Sequence, residues 1–150
     1  MTEDPDDWPP NVRAAHEKPS PTSAHLGLEI LRVDRPAGVV EMAFEASERL
    51  CNKWGGIQGG MVAAMLDDAM ALAVGLDLEW GQISPTLELK VSMLAPARPG
   101  RILAVGRVVR RGRSVGFVEG ELRDLDGTLL ATASSTANFV TLKDKKEKEE

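Results

Sequence analysis

Cysteine and histidine are scarce in this chain, and their scarcity removes whole classes of chemistry. Among 150 residues there is one cysteine, Cys51, and there are two histidines, His16 and His25. A lone thiol closes no internal disulfide, and one cysteine with two histidines does not build a zinc site. No metal is therefore expected. An excess of positive charge is also missing: the formal charge is -5, whereas nucleic-acid binders usually present a basic face. No run of ~18 apolar residues escapes charge, so no transmembrane helix is expected. The opening stretch MTEDPDDWPPN is acidic and proline-rich, the opposite of a signal peptide. What is present, 43% apolar and 27% charged residues, is the composition of a soluble globular domain. The expectation is a cytoplasmic, single-domain protein with no nucleic-acid or membrane partner.

Residues 1–24 hold five prolines and scattered charges without an apolar period. They read as a flexible N-terminal arm, with at most a short helical turn around Val12 to His16. At the other end, residues 143–150 read KDKKEKEE, a charged, disordered tail. The domain is expected between them, over 25–142.

Within that domain strand signals dominate. Leu26, Leu28 and Ile30 alternate with other residues, as do Val40, Met42 and Phe44 after a turn at residues 35–38. Leu87, Leu89, Val91 and Met93 alternate with Glu88, Lys90 and Ser92, the clearest period of two in the chain. Pro96 to Gly100 breaks that strand. Ile102 to Val109, Val115 to Leu122 and Leu129 to Val140 follow, separated by turns at residues 110–113 and at Asp126-Gly127. The exception is Gly59 to about Leu76, where Ala, Met and Leu favour helix and β-branched residues are few. It is apolar almost all round, so it is expected to be buried. Two strands, a helix, then four strands predict an α+β fold: a curved antiparallel sheet wrapped around a long central helix.

Two features of the helical stretch point to chemistry. Asp67 and Asp68 sit in its middle, about 100° apart around the axis, so they face different surroundings. A buried carboxylate without a partner costs several kcal/mol or more. Either acid reads as a catalytic group or as a cap on a neighbouring strand or loop through backbone N–H groups, the cap being the expected role of Asp68. The second feature is Gly55-Gly56-Ile57-Gln58-Gly59-Gly60 at the helix start. The first N–H groups of a helix have no partner within it, and the dipole favours negative charge there. Such a start can hold a developing oxyanion.

The stretch Asn52-Lys53-Trp54-Gly55-Gly56-Ile57-Gln58-Gly59-Gly60 followed by Met65-Leu66-Asp67 resembles the signature of hotdog-fold acyl-CoA thioesterases of the PaaI-like, phenylacetic-acid-degradation branch. That pattern is an Asn, five residues, His-Gly-Gly, and an acid nine positions after the His. The likeness continues through Leu87 to Pro96, Gly112-Arg113-Ser114 and residues 126–131, covering about His25 to Val140. The resemblance implies a hotdog fold and hydrolysis of an acyl-CoA to free acid and coenzyme A. It requires no cofactor beyond the coenzyme A of the substrate. Asp67 matches the family's carboxylate, which activates water or attacks the carbonyl itself. Gly59 matches the glycine whose N–H binds the carbonyl oxygen, with Gly60 beside it. Asn52 matches a residue that positions the carbonyl or the water, and Thr86 a hydroxyl that holds the water or the acid. In such enzymes the carboxylate of one subunit works against the helix start of its partner, so a homodimer, or a tetramer of two dimers, is implied.

The departure is Gln58, where the commoner family residue is His. An amide transfers no proton, so Gln58 is expected to donate a hydrogen bond to the thioester carbonyl. A thiolate leaves readily, its thiol pKa being near 8.5, so a carboxylate and aligned donors suffice. Arg110, Arg111 and Arg113 crowd one turn; with Ser114 they read either as a site for coenzyme A phosphates or as a solvated basic turn. His16 and His25 are set aside from catalysis. Cys51 is expected to be a small buried hydrophobe, and Met61, Met65 and Met70 to be core or pocket lining. The rival reading is a non-catalytic acyl-CoA-binding hotdog module. A hydratase is disfavoured, because it needs a histidine paired with the acid.

Overall fold

A computed structural model describes residues 1–142; the expected charged tail, 143–150, lies outside the described residues. Eight strands and three α-helices follow in the order α1 (Pro10–Glu17), α2 (Pro21–Leu26), β1 (Leu28–Asp34), β2 (Val39–Ala46), α3 (Gly59–Gly75), β3 (Gln82–Ile83), β4 (Thr86–Met93), β5 (Gly100–Arg111), β6 (Val115–Arg123), β7 (Leu129–Asn138) and β8 (Val140–Thr141). Six strands form an antiparallel sheet in the order β1-β2-β5-β6-β7-β4, and β3 pairs with β8 in a separate two-stranded sheet. Helix α3 packs on β2, β4, β5, β6 and β7. This is the hotdog arrangement that the resemblance implies.

The inward face of the sheet explains how one helix touches five strands. Val40, Gly106, Gly120, Ala133 and Val91 are register partners in turn, a row crossing β2, β5, β6, β7 and β4. Three small residues at its centre leave a trough, and α3 lies in it with Met65, Leu66, Ala69 and Met70 buried. At Gly106 a Cβ would stand 2.0 Å from the Ala69 carbonyl oxygen. Glycine is needed there for space.

Two expectations are corrected. Residues 1–24 are not a loose arm. Pro10 and Pro21 each stand at the first turn of a helix, where a missing N–H costs nothing. Ser20 caps α2 by accepting from the Ser23 N–H at 3.0 Å. Trp8 and Val12 are 3% and 0% exposed, and Thr2 exchanges backbone hydrogen bonds with Val33 at 2.7 and 2.9 Å. The prolines mark helix starts, and the folded unit begins near Thr2. Leu26 is also no strand residue: it ends α2, and Gly27, at φ 73°, turns the chain into β1. A side chain on Gly27 would meet the Glu45 carbonyl oxygen at 2.6 Å.

Candidate functional site

The start of α3 is anchored from both sides. The Gln58 N–H donates to the Leu50 carbonyl and the Ile57 N–H to the Ala97 carbonyl, each at 2.8 Å. The Gln58 carbonyl accepts from Met61 and Val62 at 2.8 and 3.1 Å, closing the first turn. That leaves the N–H groups of Gly59 and Gly60 without a hydrogen bond among the described residues. The exposed Gln58 side chain makes no capping bond, so its amide is available to a ligand. Ile57, Gly59, Val62, Met93 and Ala97 line an apolar cleft of about 350 Å³ at this helix end. Met93 was not singled out from the sequence; its alternation marked a strand, and nothing in the spacing placed it against Gly59.

Asp67 lies two turns further on. Its Oδ1 accepts a hydrogen bond from Thr86 Oγ1 at 2.8 Å, and Thr86 opens β4, one of the two edge strands of the sheet. Among the described residues the carboxylate is thus bound by a side-chain hydroxyl and not by backbone N–H groups. The structure brings Asp67 and Thr86 together as the resemblance implies. Gly59 and Gly60 are not beside them: eight residues at 1.5 Å rise put the Gly59 amide about 12 Å along the helix from Asp67.

Asn52 shapes the loop before the helix. Its Oδ1 accepts from the Trp54 N–H at 2.9 Å, and its own N–H donates to the Gly56 carbonyl at 2.8 Å. Among the described residues no hydrogen bond joins it to Asp67 or Thr86. Arg113 and Ser114 are exposed on the β5–β6 turn, which is shorter than expected because β5 continues through Arg111. Neither contacts Asp67 by a hydrogen bond or ion pair, and the Ser114 carbonyl accepts from Phe139 at 2.8 Å. The Arg111 guanidinium sits 4.4 Å over the Phe139 ring. Cys51 is half-buried, with its thiol 3.5 Å from the Gly55 carbonyl, and so is not the buried hydrophobe expected. Met65 and Met70 are core, at 0% and 1% exposure.

Asp68 departs most from expectation. The expected role is a cap on a neighbouring segment, yet among the described residues its buried Oδ2 has no hydrogen-bond partner. Burial raises its pKa above the ordinary aspartate range; the Ser23 hydroxyl pulls it back, and the charge of Asp67 adds to the rise. Among the described residues no three His, Cys, Asp or Glu side chains are grouped to hold a metal ion, and no helix is long and apolar enough to cross a membrane.

The family model of the thioesterase superfamily matches residues 55–131. A solved structure of a phenylacetic acid degradation-related protein from Ralstonia eutropha is 39% identical, covers 85% of this chain and 98% of its own, and superposes with a TM-score of 0.79. The medium/long-chain acyl-CoA thioesterase YigI of Salmonella typhimurium is 29% identical, over 77% of this chain and 83% of its own. The PaaI protein of Escherichia coli, 19% identical over 89% of this chain and 94% of its own, shares the fold at a TM-score of 0.78. The matched segment runs from the glycines before α3 through the whole helix and into β7, and the chain belongs to the thioesterase superfamily.

Proposed function

We propose that this thioesterase hydrolyses an acyl-CoA to a free acid and coenzyme A, with each active site built from two copies of the chain. The observation that carries the reading is the separation within α3. A carboxylate held by a hydroxyl and two free amides are the two halves of an acyl-transfer site, but they lie about 12 Å apart on one helix. Reacting groups must approach to ~3–3.5 Å, so a carbonyl held at Gly59 is out of reach of Asp67 in the same chain. A second copy resolves this by bringing its helix start to the first copy's carboxylate. Edge strand β4 supports the pairing: it is unpaired on one side, with Leu87 and Met93 61% and 51% exposed. A long, exposed, apolar edge is a site for strand addition.

In that arrangement the carbonyl oxygen sits against the Gly59 and Gly60 N–H groups and the Gln58 amide, where the dipole of α3 favours the charge that develops. Thr86 occupies one oxygen of Asp67 and leaves the other to deliver the nucleophile, as a base for water or by direct attack. Asn52 fixes the loop that aims Gln58 and keeps its own amide donors for the carbonyl or water. The thiolate leaves without an acid, so Gln58 serves where the family more often has His. Arg113 and Ser114, exposed on their turn, meet the phosphates of coenzyme A. The reaction is read as cytoplasmic, and the chemistry asks for no further cofactor.

The test is thiol release from a panel of acyl-CoA esters, together with sedimentation of the purified chain. Turnover that depends on Asp67, in a species of two or four copies, is expected. Binding of acyl-CoA without release would favour the non-catalytic module, and an active monomer would overturn the shared site.

A further inference from the structure

The apolar cleft at the start of α3 has a lining that hydrolysis alone does not call for. Apart from Gly59 it is made by Ile57, Val62 and the segment Met93–Ala97, and none of these side chains carries an N–H or O–H donor. Several of its backbone donors are taken as well. The Ile57 N–H is bonded to the Ala97 carbonyl at 2.8 Å, and the Leu94 and Ala95 N–H groups share the Leu130 carbonyl at 2.9 and 3.1 Å. Pro96 has no N–H to offer. Gly59 forms one wall, and its N–H is free among the described residues.

A thioester has two arms, and this lining suits only one of them. The pantetheine arm of coenzyme A carries amides and a hydroxyl that would go unpaired here, at a cost in binding. A hydrocarbon acyl arm loses no hydrogen bond and gains by leaving water. With the carbonyl oxygen on Gly59, the cleft therefore belongs to the acyl arm. At ~30 Å³ per water-sized group, its volume of about 350 Å³ holds roughly ten non-hydrogen atoms.

Met93 stands over the donor. It lies two residues beyond Val91 on the inward face of β4, and its Cε is 3.5 Å from where a Cβ on Gly59 would be. Yet Met93 and Leu94 are 51% and 57% exposed, so the cleft is open to an apolar ligand that would cover them. The same strand connects the cleft with the chemistry, because Thr86, which holds Asp67, and Met93 stand at opposite ends of β4. Two copies paired antiparallel along β4 turn the strand end for end, which sets the carboxylate of one copy towards the cleft of the other.

We infer that this cleft receives the acyl group, that it takes unsubstituted hydrocarbon chains of medium length, and that Met93 is a specificity-determining residue for them. The inference rests on the acyl-CoA reading above and adds the acyl class to it. The unbranched thioether side chain adapts its shape to the chain lying along it.

The experiment measures kcat/KM for straight-chain esters from acetyl-CoA to decanoyl-CoA, and for octanoyl-CoA against the analogue with an ether oxygen in place of its mid-chain CH₂. The native chain is expected to gain ~2–4-fold for each added CH₂ up to about eight carbons, and to disfavour the ether by ~10-fold. Met93→Gln keeps the length of the side chain and makes it polar, so it should lower the octanoyl-to-acetyl ratio by ~10-fold and shrink the ether penalty. Leu94→Gln should lower the same ratio, which keeps the test decisive if Met93→Gln does not fold. Sedimentation of both variants separates this role from one in subunit pairing. A flat series in the native chain, a ratio unmoved by both variants, or a ratio that moves only where the assembly is lost overturns the inference alone while thiol is still released. No release from any ester by the native chain overturns the thioesterase reading, and the inference falls with it.

Discussion

A single methyl group at Gly106 tests whether the helix and its carboxylate are positioned by the trough in the sheet. In Gly106→Ala the new Cβ would stand 2.0 Å from the Ala69 carbonyl oxygen, 2.6 Å from its carbon and 3.2 Å from the Met70 nitrogen. These are backbone atoms of α3, so no side-chain rotation relieves the contact. Ordinary van der Waals separation requires the helix to retreat by more than 1 Å, which opens the rest of the trough. Overpacking usually costs ~1–3 kcal/mol, and a rigid obstruction belongs at or above the upper end. At ~2–4 °C per kcal/mol for a chain of this size, Tm should fall by roughly 10 °C. Gly120→Ala is the matched control. Its Cβ would meet Met70 Cγ at 3.1 Å and Leu66 Cδ2 at 3.3 Å, flexible side chains that can give way, so ~1 kcal/mol or less is expected. Ala69 is two residues from Asp67, so the retreat should also lengthen the 2.8 Å bond from Thr86 and lower turnover. Thermal unfolding and thiol release read both effects. Equal Tm values for the two variants would refute the argument that the helix backbone is pinned at Gly106.

Asp67→Asn keeps the shape and removes the base, so thiol release should drop by ~10²-fold or more with Tm little changed; if Asp68→Asn does that damage instead, the wrong neighbour has been assigned. Gln58→Ala should lower the rate constant by ~10²-fold, the cost of one oxyanion donor. Gln58→His should retain substantial activity, and an untouched rate in Gln58→Ala would make the amide structural. Trp8→Ala should cost ~3 kcal/mol or more by chemical denaturation, because Trp8 is 3% exposed in the core; a loose N-terminal segment would give no change. The folded state of Asp68 holds its proton to higher pH than the unfolded chain does. The stability this contributes is present below the ordinary aspartate range and lost as pH rises through the raised folded value. Asp68→Asn, neutral throughout, should therefore be more stable than the native chain at pH 7, with the gap closing towards pH 4; a gap that widens on acidification refutes the sign.

What was legible in the sequence was the part governed by local periodicity and by the glycine-acid spacing. Gly59 to about Leu76 stood out because helix-forming residues replaced alternation, and the helix found is Gly59–Gly75. Each of the six main strands was visible as a period of two or an apolar run between turn residues. The Thr86–Asp67 hydrogen bond joins residues nineteen apart, a pairing that no local pattern encodes and that only the family resemblance implied. The trough was hidden for a related reason. Gly106, Gly120 and Ala133 stand on three separate strands, and only the register makes them one row.

The N-terminal segment and Asp68 were misread together, and the physical cause is shared. Five prolines in residues 1–24 look like a chain that does not fold, because proline disfavours helix interiors; at the first turn the same ring fixes a helical φ without loss. Once α1 and α2 are recognised, Asp68 no longer faces an open flank of α3: they roof it and form a cavity against it. Helical spacing gave the 100° between the two acids but not what covers each face. The match to the thioesterase superfamily spans residues 55–131 and carries Asp67, Gly59 and Thr86. Val12, Ala15, Ser23 and Leu28, which with Asp68 wall the cavity, come from outside it. Of the residues proposed for hydrolysis, Gln58, Gly59, Asp67 and Thr86 thus lie in the part of the chain that the family model matches, and Asn52 lies just before it.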